Sequence, residues 1–282
     1  MAAITEDMRK YLEYWGNILR KRIIEMIGVD HAGHLGGSCS AADIVACLYF
    51  YKLGITTENF KSKNRNRFIM SKGHSVLAQY AALGELGFFK KDEYKKTKTL
   101  GSVLQGHPDM RKTPGIEANT GSLGQGLSIA CGMALGMRLD GLAGKVFVMM
   151  GDGELAEGEV WEAAMAASAY KLDNVVGIVD RNGLSSVGFI KDRFDISHVG
   201  EKFKAFGWVV YELDGHDVAQ ITDALDRADG VKGAPCMLIA DTVKGKGISF
   251  AESNASYHNA LLNDEKYLIA MQEINMLLKG GK

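Results

Sequence analysis

Apolar residues recur at Leu12, Trp15, Ile18, Leu19, Ile23, Met26 and Ile27, a spacing that predicts a helix over 5–28 with Gly28 as its stop. Ser40 is placed to cap a second helix running through Leu53 and ended by Gly54. Arg67–Met70 reads as a short strand, followed by an alanine-rich helix from Ser75 to about Leu86. From Leu100 to Thr120 the pattern is irregular, with glycines, two prolines and an Asn-Thr-Gly turn signal. Regular alternation then sets in: a helix over 127–139, a strand at Lys145–Met150, a helix at Glu159–Leu172 and a strand at Val175–Asp180. A long loop at 181–197 precedes a strand at Trp208–Leu213, a helix at 217–228, a strand at Cys236–Ala240 and a terminal helix at Asp264–Lys279. Strands alternating with helices predict an α/β fold, a mostly parallel sheet with helices on both faces. Ligands of such sheets bind beyond the carboxyl ends of the strands.

Composition narrows the classes. The 282 residues suffice for one large domain, 1–282, burying roughly three-quarters of its unfolded surface, and no Ser- or Pro-rich linker divides them. The formal charge of −1 provides no global field for nucleic acid or an anionic membrane. The lysine run from Lys90 to Lys98, interrupted by Asp92 and Glu93, reads as a solvated helix or loop. Cys39, Cys47, Cys131 and Cys236 form no CxxC pair and, with no secretion signal, read as reduced thiols in a cytoplasm. No apolar run approaches the length of a membrane span.

Candidate chemistry gathers where two apolar strands end. Val146–Met150 runs into Gly151-Asp152-Gly153, and Val175–Val179 runs into Asp180-Arg181-Asn182, 30 residues after Asp152. That separation is about one strand–helix–strand unit, so Asp152 and Asn182 emerge at one sheet edge if the strands are neighbours. A carboxylate and an amide oxygen suit a hard cation such as Mg²⁺ or Ca²⁺, with the Leu184 carbonyl as a third oxygen and phosphate and water filling the rest. Gly151 and Gly153 admit a diphosphate where a Cβ would not. Alone, Gly-Asp-Gly is an ordinary turn; its place after a strand, with Asn at the second strand's end, gives it meaning. Gly121-x-x-Gly124-x-Gly126 lacks both the dinucleotide spacing and a preceding strand, and Lys244-Gly-Lys-Gly-Ile-Ser lacks the P-loop frame. His31 and His34 are not completed to a zinc site by a second His/Cys cluster.

The Gly-Asp-Gly…Asn arrangement resembles the signature of thiamine diphosphate enzymes, and further segments narrow the resemblance to transketolases. These are His31-Ala-Gly-His34-Leu-Gly-Gly37-Ser38, Ser71-Lys-Gly-His74 and Gln105-Gly-His107-Pro-Asp109. Asn119-Thr-Gly-Ser-Leu-Gly-Gln-Gly126, Gly153-Glu-Leu-Ala-Glu157-Gly158 and Thr242-Val-Lys-Gly-Lys-Gly247 also fit. They span about 30 to 260 in the family's order. Leu35 stands where the family has Pro, and Asn259 follows His258 where Gly is common.

The resemblance implies a diphosphate-binding domain in which Asp152, Asn182 and the Leu184 carbonyl hold Mg²⁺. Gly37, His74, Gly153, Asn182 and Lys244 would contact thiamine diphosphate, with Gly121, Ser122 and Leu123 along its rings. Glu157 would lie at a subunit interface. His34, His107 and His258 would face the reacting carbons, while His31, His198 and His216 are left as structural or exposed. The glutamate that activates the cofactor's ring belongs, in this family, to a second, pyrimidine-binding domain, and the chain ends about where the first domain of a full-length transketolase ends. The expectation is therefore a split transketolase subunit or a piece of a longer chain, the terminal helix favouring the former. It would pair with a C-terminal subunit in an α2β2 heterotetramer across an interface on the order of 2,000 Å² or more. The implied reaction moves a two-carbon ketol unit from a ketose phosphate to an aldose phosphate. Rival readings are half of a deoxyxylulose-phosphate synthase-like enzyme, a non-catalytic cofactor-binding subunit and a nucleotide-binding module.

Overall fold

The computed structural model describes residues 4–193 and 197–280; residues 194–196 of the expected 181–197 loop lie outside the described residues. The strands are β1 (Ala32–Gly33), β2 (Arg67–Met70), β3 (Val146–Gly151), β4 (Val175–Arg181), β5 (Val209–Asp214), β6 (Cys236–Asp241) and β7 (Ala260–Leu261). The helices are α1 (Glu6–Ile27), α2 (Leu35–Ser40), α3 (Ala42–Cys47), α4 (Val76–Glu85), α5 (Gln125–Leu139), α6 (Gly158–Ala169), α7 (Val199–Ala205), α8 (Val218–Gly230) and α9 (Asp264–Gly280). Five strands form one parallel sheet in the order β2-β3-β4-β6-β5, and β1 pairs with β7 antiparallel in a two-stranded ribbon. No described helix is long and apolar enough to cross a membrane.

The sheet is apolar on both faces because the strand period of two sends successive side chains to opposite cores. Phe147, Met149, Val176, Ile178 and Leu238 join the core built with α1, α3, α4 and α8. Val146, Val148, Met150, Val175, Val179 and Ile239 join the core built with α5, α6 and α7. Gly177 lets Met237 of the neighbouring strand cross its face, where a Cβ would collide with the thioether. The first helix begins at Thr5, whose hydroxyl accepts from the Met8 amide at 3.2 Å, and ends at Gly28 in a left-handed conformation.

One expectation fails. Ser40 caps no helix: it closes α2, and its hydroxyl bonds the Gly37 carbonyl at 3.2 Å and Asp180 at 2.6 Å. The chain then continues through α3 and a π-helical turn at Leu48–Lys52, with Gly54 left-handed at the end as expected. Helix starts six residues earlier, where Gly36 and Gly37 are packing glycines. A Cβ on Gly36 would sit 3.0 Å from the Tyr257 carbonyl, and one on Gly37 2.6 Å from the Ser75 hydroxyl. The lysine run is a short 3₁₀ turn over Lys91–Lys96.

Beneath α1 lies a buried ion pair, Arg20 to Asp43, at 2.5 and 2.8 Å. Asp43 also meets His216 Nδ1 at 2.7 Å, and His216 Nε2 accepts from the Val243 amide at 2.8 Å. That pairing fixes the proton on Nδ1 and ties α1 to the segment carrying Lys244. Burial alone would raise the Asp43 pKa, but Arg20 and the His216 bond hold it down to about 2. Asp43→Ala strands a buried guanidinium, and the expected loss of stability is roughly 3–5 kcal/mol. Because the folded pKa is depressed, the wild-type advantage is complete above about pH 4 and disappears as pH falls towards 2. Denaturant unfolding of both proteins across that range checks it.

Candidate functional site

β3 and β4 are adjacent and parallel, with Gly151 opposite Asp180. The two chains therefore leave the sheet together at its carboxyl edge, and Asp152 and Asn182 line one cavity of about 390 Å³. Asp152 accepts from the Gly153 amide at 2.8 Å and the Gly183 amide at 2.5 Å. Asn182 accepts from the Leu184 amide at 3.1 Å and donates to Asp180 at 3.3 Å. Asp152 is 2% exposed; burial first, and the nearby Asp180 charge second, push its pKa up to about 6. A buried carboxylate whose charge is so poorly compensated is suited to pairing with a cation. The Leu184 carbonyl already meets one, accepting from the Lys244 ammonium at 2.7 Å. Gly151 and Gly153 face the cavity, where a Cβ would lie 3.6 Å from Lys72 and Ile190 respectively and take up the cradle's space. The donor set fits a hard divalent cation and the phosphate oxygens it would carry.

Below the cavity, Asp180 is wholly buried against Lys72, itself 2% exposed, and also accepts from Ser40 at 2.6 Å and from Thr242. Burial would raise the Asp180 pKa; Lys72 and the hydroxyl donors reverse that and keep it below the ordinary carboxylate range. Glu154, two residues beyond Asp152 on the same 3₁₀ turn, lines the same cavity but binds its carboxylate to other partners. It accepts from Ser71, from the Gly124 amide at 2.9 Å and from the Gly151 amide at 3.1 Å. Ser71 in turn accepts from the Gly126 amide at 3.1 Å. The glycine loop and the Gly-Asp-Gly turn thus hang on one buried carboxylate at the start of α5, where the helix's free amides favour an anion.

The histidines form the second half of the site. His34 stands with its ring centroid 5.1 Å from His74, 5.5 Å from His258 and 6.2 Å from His107. The β1–β7 ribbon makes this possible, since Gly33 pairs with Ala260 and so draws the His34 and His258 segments together. Burial lowers all four pKa values: His34 and His258 to about 4, His74 to about 2, and His107 in the same direction. Positive neighbours, Lys98, Lys72 and Lys244 among them, add to the effect. The rings are neutral at physiological pH and free to pass or hold a proton. His34 Nδ1 is buried without a partner, and His258 Nδ1 accepts from Lys244 at 3.0 Å. Lys244 itself is lowered to about 8, by burial and then by Lys72.

Of the residues expected from sequence, Gly37, His74, Leu123, Gly153, Lys244 and His258 line the same cavity as Asp152, Asn182 and Leu184, and Glu157 joins them. His34, His107 and Gly121 lie alongside; a Cβ on Gly121 would be 3.0 Å from the His107 ring. Ser122 is exposed and does not line the cavity. Sequence reasoning passed over Lys72, Asp180, Glu154 and Ser71. Each sits inside a quoted segment, and for Lys72, Glu154 and Asp180 the signal was a charged residue beside a glycine or closing an apolar strand, where burial demands a partner. Arg193 also lines the cavity and carried no sequence signal.

Comparison with known proteins places this architecture. The family described as transketolase, thiamine diphosphate binding domain, matches residues 15–276. The chain is 39% identical over 263 residues to the 6-deoxy-6-sulfo-D-fructose transketolase subunit SqwG of Clostridium sp. (strain MSTE9), covering 93% of this chain and 96% of that one. It is 40% identical over 256 residues to one subunit of the apulose-4-phosphate transketolase of Phocaeicola vulgatus, covering 91% of each. The crystal structure of transketolase from Campylobacter jejuni superposes with a TM-score of 0.86 at 32% identity, over 94% of this chain but only 42% of that one.

The raised Asp152 pKa makes a prediction about the protein without divalent metal. Because the folded value exceeds the unfolded one, ionised Asp152 costs stability, the cost growing from about pH 4 and complete above about pH 6. Asp152→Asn is expected to raise stability at pH 8 by about 3 kcal/mol and to leave it unchanged near pH 4. Thermal melts in the presence of a chelator measure both.

Proposed function

Since the chain belongs to the transketolase family, we propose that it is the diphosphate-binding subunit of a two-chain, thiamine diphosphate-dependent transketolase, residues 1–282 forming one domain. The observation that carries this reading is the shared cavity in which Asp152, Asn182 and the Leu184 carbonyl face Lys244 and the neutral histidines. Mg²⁺, or Ca²⁺ in its place, would be held by those three oxygens, and Lys244 and the Gly153 backbone would meet the diphosphate. Gly37, His74, Gly121 and Leu123 would flank the rings. Thiamine diphosphate supplies the nucleophilic carbon and electron sink that make a ketol unit transferable.

The chain's own residues bind, orient and manage protons. His34 and His107 would bond the hydroxyl and carbonyl oxygens of the ketose, the neutral state letting each ring donate from one nitrogen and accept on the other. His258, bonded through Nδ1 to Lys244, keeps its proton on Nε2 and is placed to exchange it with the substrate.

The substrates would be sugars with a terminal anion, as in the names of the two relatives; transfer runs from a ketose phosphate to an aldose phosphate. The partner would be a C-terminal subunit carrying the pyrimidine-binding domain, in an α2β2 heterotetramer with Glu157 near the contact. Support comes from the names of the relatives, each a subunit of its enzyme, and from the share of the Campylobacter jejuni chain that this one spans. Four unpaired buried cysteines favour a reducing compartment, and we place the protein in the cytoplasm.

Two outcomes test the reading. Purified alone, the chain is expected to bind cofactor weakly and turn over nothing measurable. Co-expressed with the partner subunit, it should transfer ketol units from xylulose 5-phosphate to ribose 5-phosphate, dependent on cofactor and Mg²⁺, without consuming pyruvate. In that complex Asp152→Ala should weaken Mg²⁺-dependent cofactor binding by at least the roughly 10–100-fold that loss of an outer-shell metal partner costs. Calorimetric titration reads it directly. Pyruvate decarboxylation instead of ketol transfer would show that the reaction was assigned wrongly.

A further inference from the structure

Lys98, the end of the lysine run, stands outside the cavity, yet its side chain bridges the two segments that carry His34 and His107. Its ammonium donates to the Ala32 carbonyl at 2.9 Å, two residues before His34. Its stem lies over Gly106, where a Cβ would be 3.5 Å from Lys98 Cε, one residue before His107. Among the described residues no carboxylate forms an ion pair with it. The residue is exposed, although its ammonium is partly desolvated, which lowers its pKa.

The backbone sharpens the point. Lys98 has φ +63°, and its amide closes the loop by donating to the Leu104 carbonyl at 2.9 Å. Left-handed backbone costs an L-residue about 1–2 kcal/mol, a cost glycine avoids. A lysine there holds its side chain in place against a local preference for none. The cation's field also reaches both histidines and helps keep them neutral.

We propose that Lys98 is a substrate-binding residue that pairs with the terminal oxyanion of the sugar, a phosphate monoester or a sulfonate, at the mouth of the histidine cluster. The proposal rests on the transketolase reading of the site and adds a recognition element from this chain. An ammonium already holding one carbonyl keeps donors free for an oxyanion. Its fixed stem leaves little rotamer freedom to lose on binding.

The test compares wild type, Lys98→Met and Lys98→Arg in the complex with the partner subunit. Methionine keeps the stem and adds no backbone strain, since both residues bear a Cβ. For xylulose 5-phosphate and for 6-deoxy-6-sulfofructose, Lys98→Met should raise KM by about 10–100-fold with kcat little changed, and Lys98→Arg should restore most of it. KM for the neutral ketose erythrulose and the affinity for thiamine diphosphate should not move. An effect on only one anionic sugar would identify which oxyanion is recognised. If KM rises equally for neutral and anionic ketoses, or for neither, Lys98 is only a tie to Ala32 and the proposal fails. A wild-type complex without ketol transfer would overturn the functional reading, not this contact. The contact has its own readout in the chain alone: inorganic phosphate should shift the His34 and His107 resonances in wild type and not in Lys98→Met. No shift in wild type would overturn it.

Discussion

The parallel register of β3 against β4 is the constraint on which the site depends. With Gly151 fixed opposite Asp180, neither Asp152 nor Asn182 can reach the cavity without the other. A slip of one residue would turn Asp152 into a core and expose an apolar side chain in its place. The apolar packing on both faces of the sheet, from Phe147 and Met149 on one side to Val146 and Val148 on the other, penalises that slip. The geometry of the chemistry is therefore enforced by residues that take no part in it.

The same register brings negative charge into low dielectric. Asp180, Asp152 and Glu154 are all buried within two strand ends, and each is handled differently. Asp180 has Lys72 and remains a firm anion; Glu154 takes hydroxyl and backbone donors, yet burial still raises its pKa; Asp152 likewise keeps an uncompensated share. Unpaired charge in such a setting is costly to the fold and is tolerated where a bound cation would complete it. Lys244 complements the picture from the other sign, its ammonium shared between two carbonyls and a neutral imidazole.

Much of this was legible in the sequence. The strands at 67–70, 145–150, 175–180 and 236–240 stand within a residue of their expected bounds, because a buried parallel strand is a run of apolar residues ended by a turn. Asp152 and Asn182 were legible for the same reason, each closing such a run. The region from 31 to 40 was not. Leu35-Gly-Gly-Ser reads locally as a turn, and only contact with Lys244, Tyr257 and Ser75 makes it helical. The β1–β7 ribbon was equally hidden: two residues pairing across more than two hundred positions leave no periodicity. Lys72 and Glu154 stood in plain view inside recognised motifs, but their partners, Asp180 and the Gly124 amide, are set by tertiary contact alone.

The interlocking of the glycine segments has a bearing on how such chains can be recombined. Gly73 rests against the backbone of Thr120 and Gly121, and Gly126 against Ser71, each at a separation that leaves no room for a methyl group. Residues 71 to 126 consequently behave as a single inheritable block: a chimera that takes one loop from a relative must take its counterpart as well.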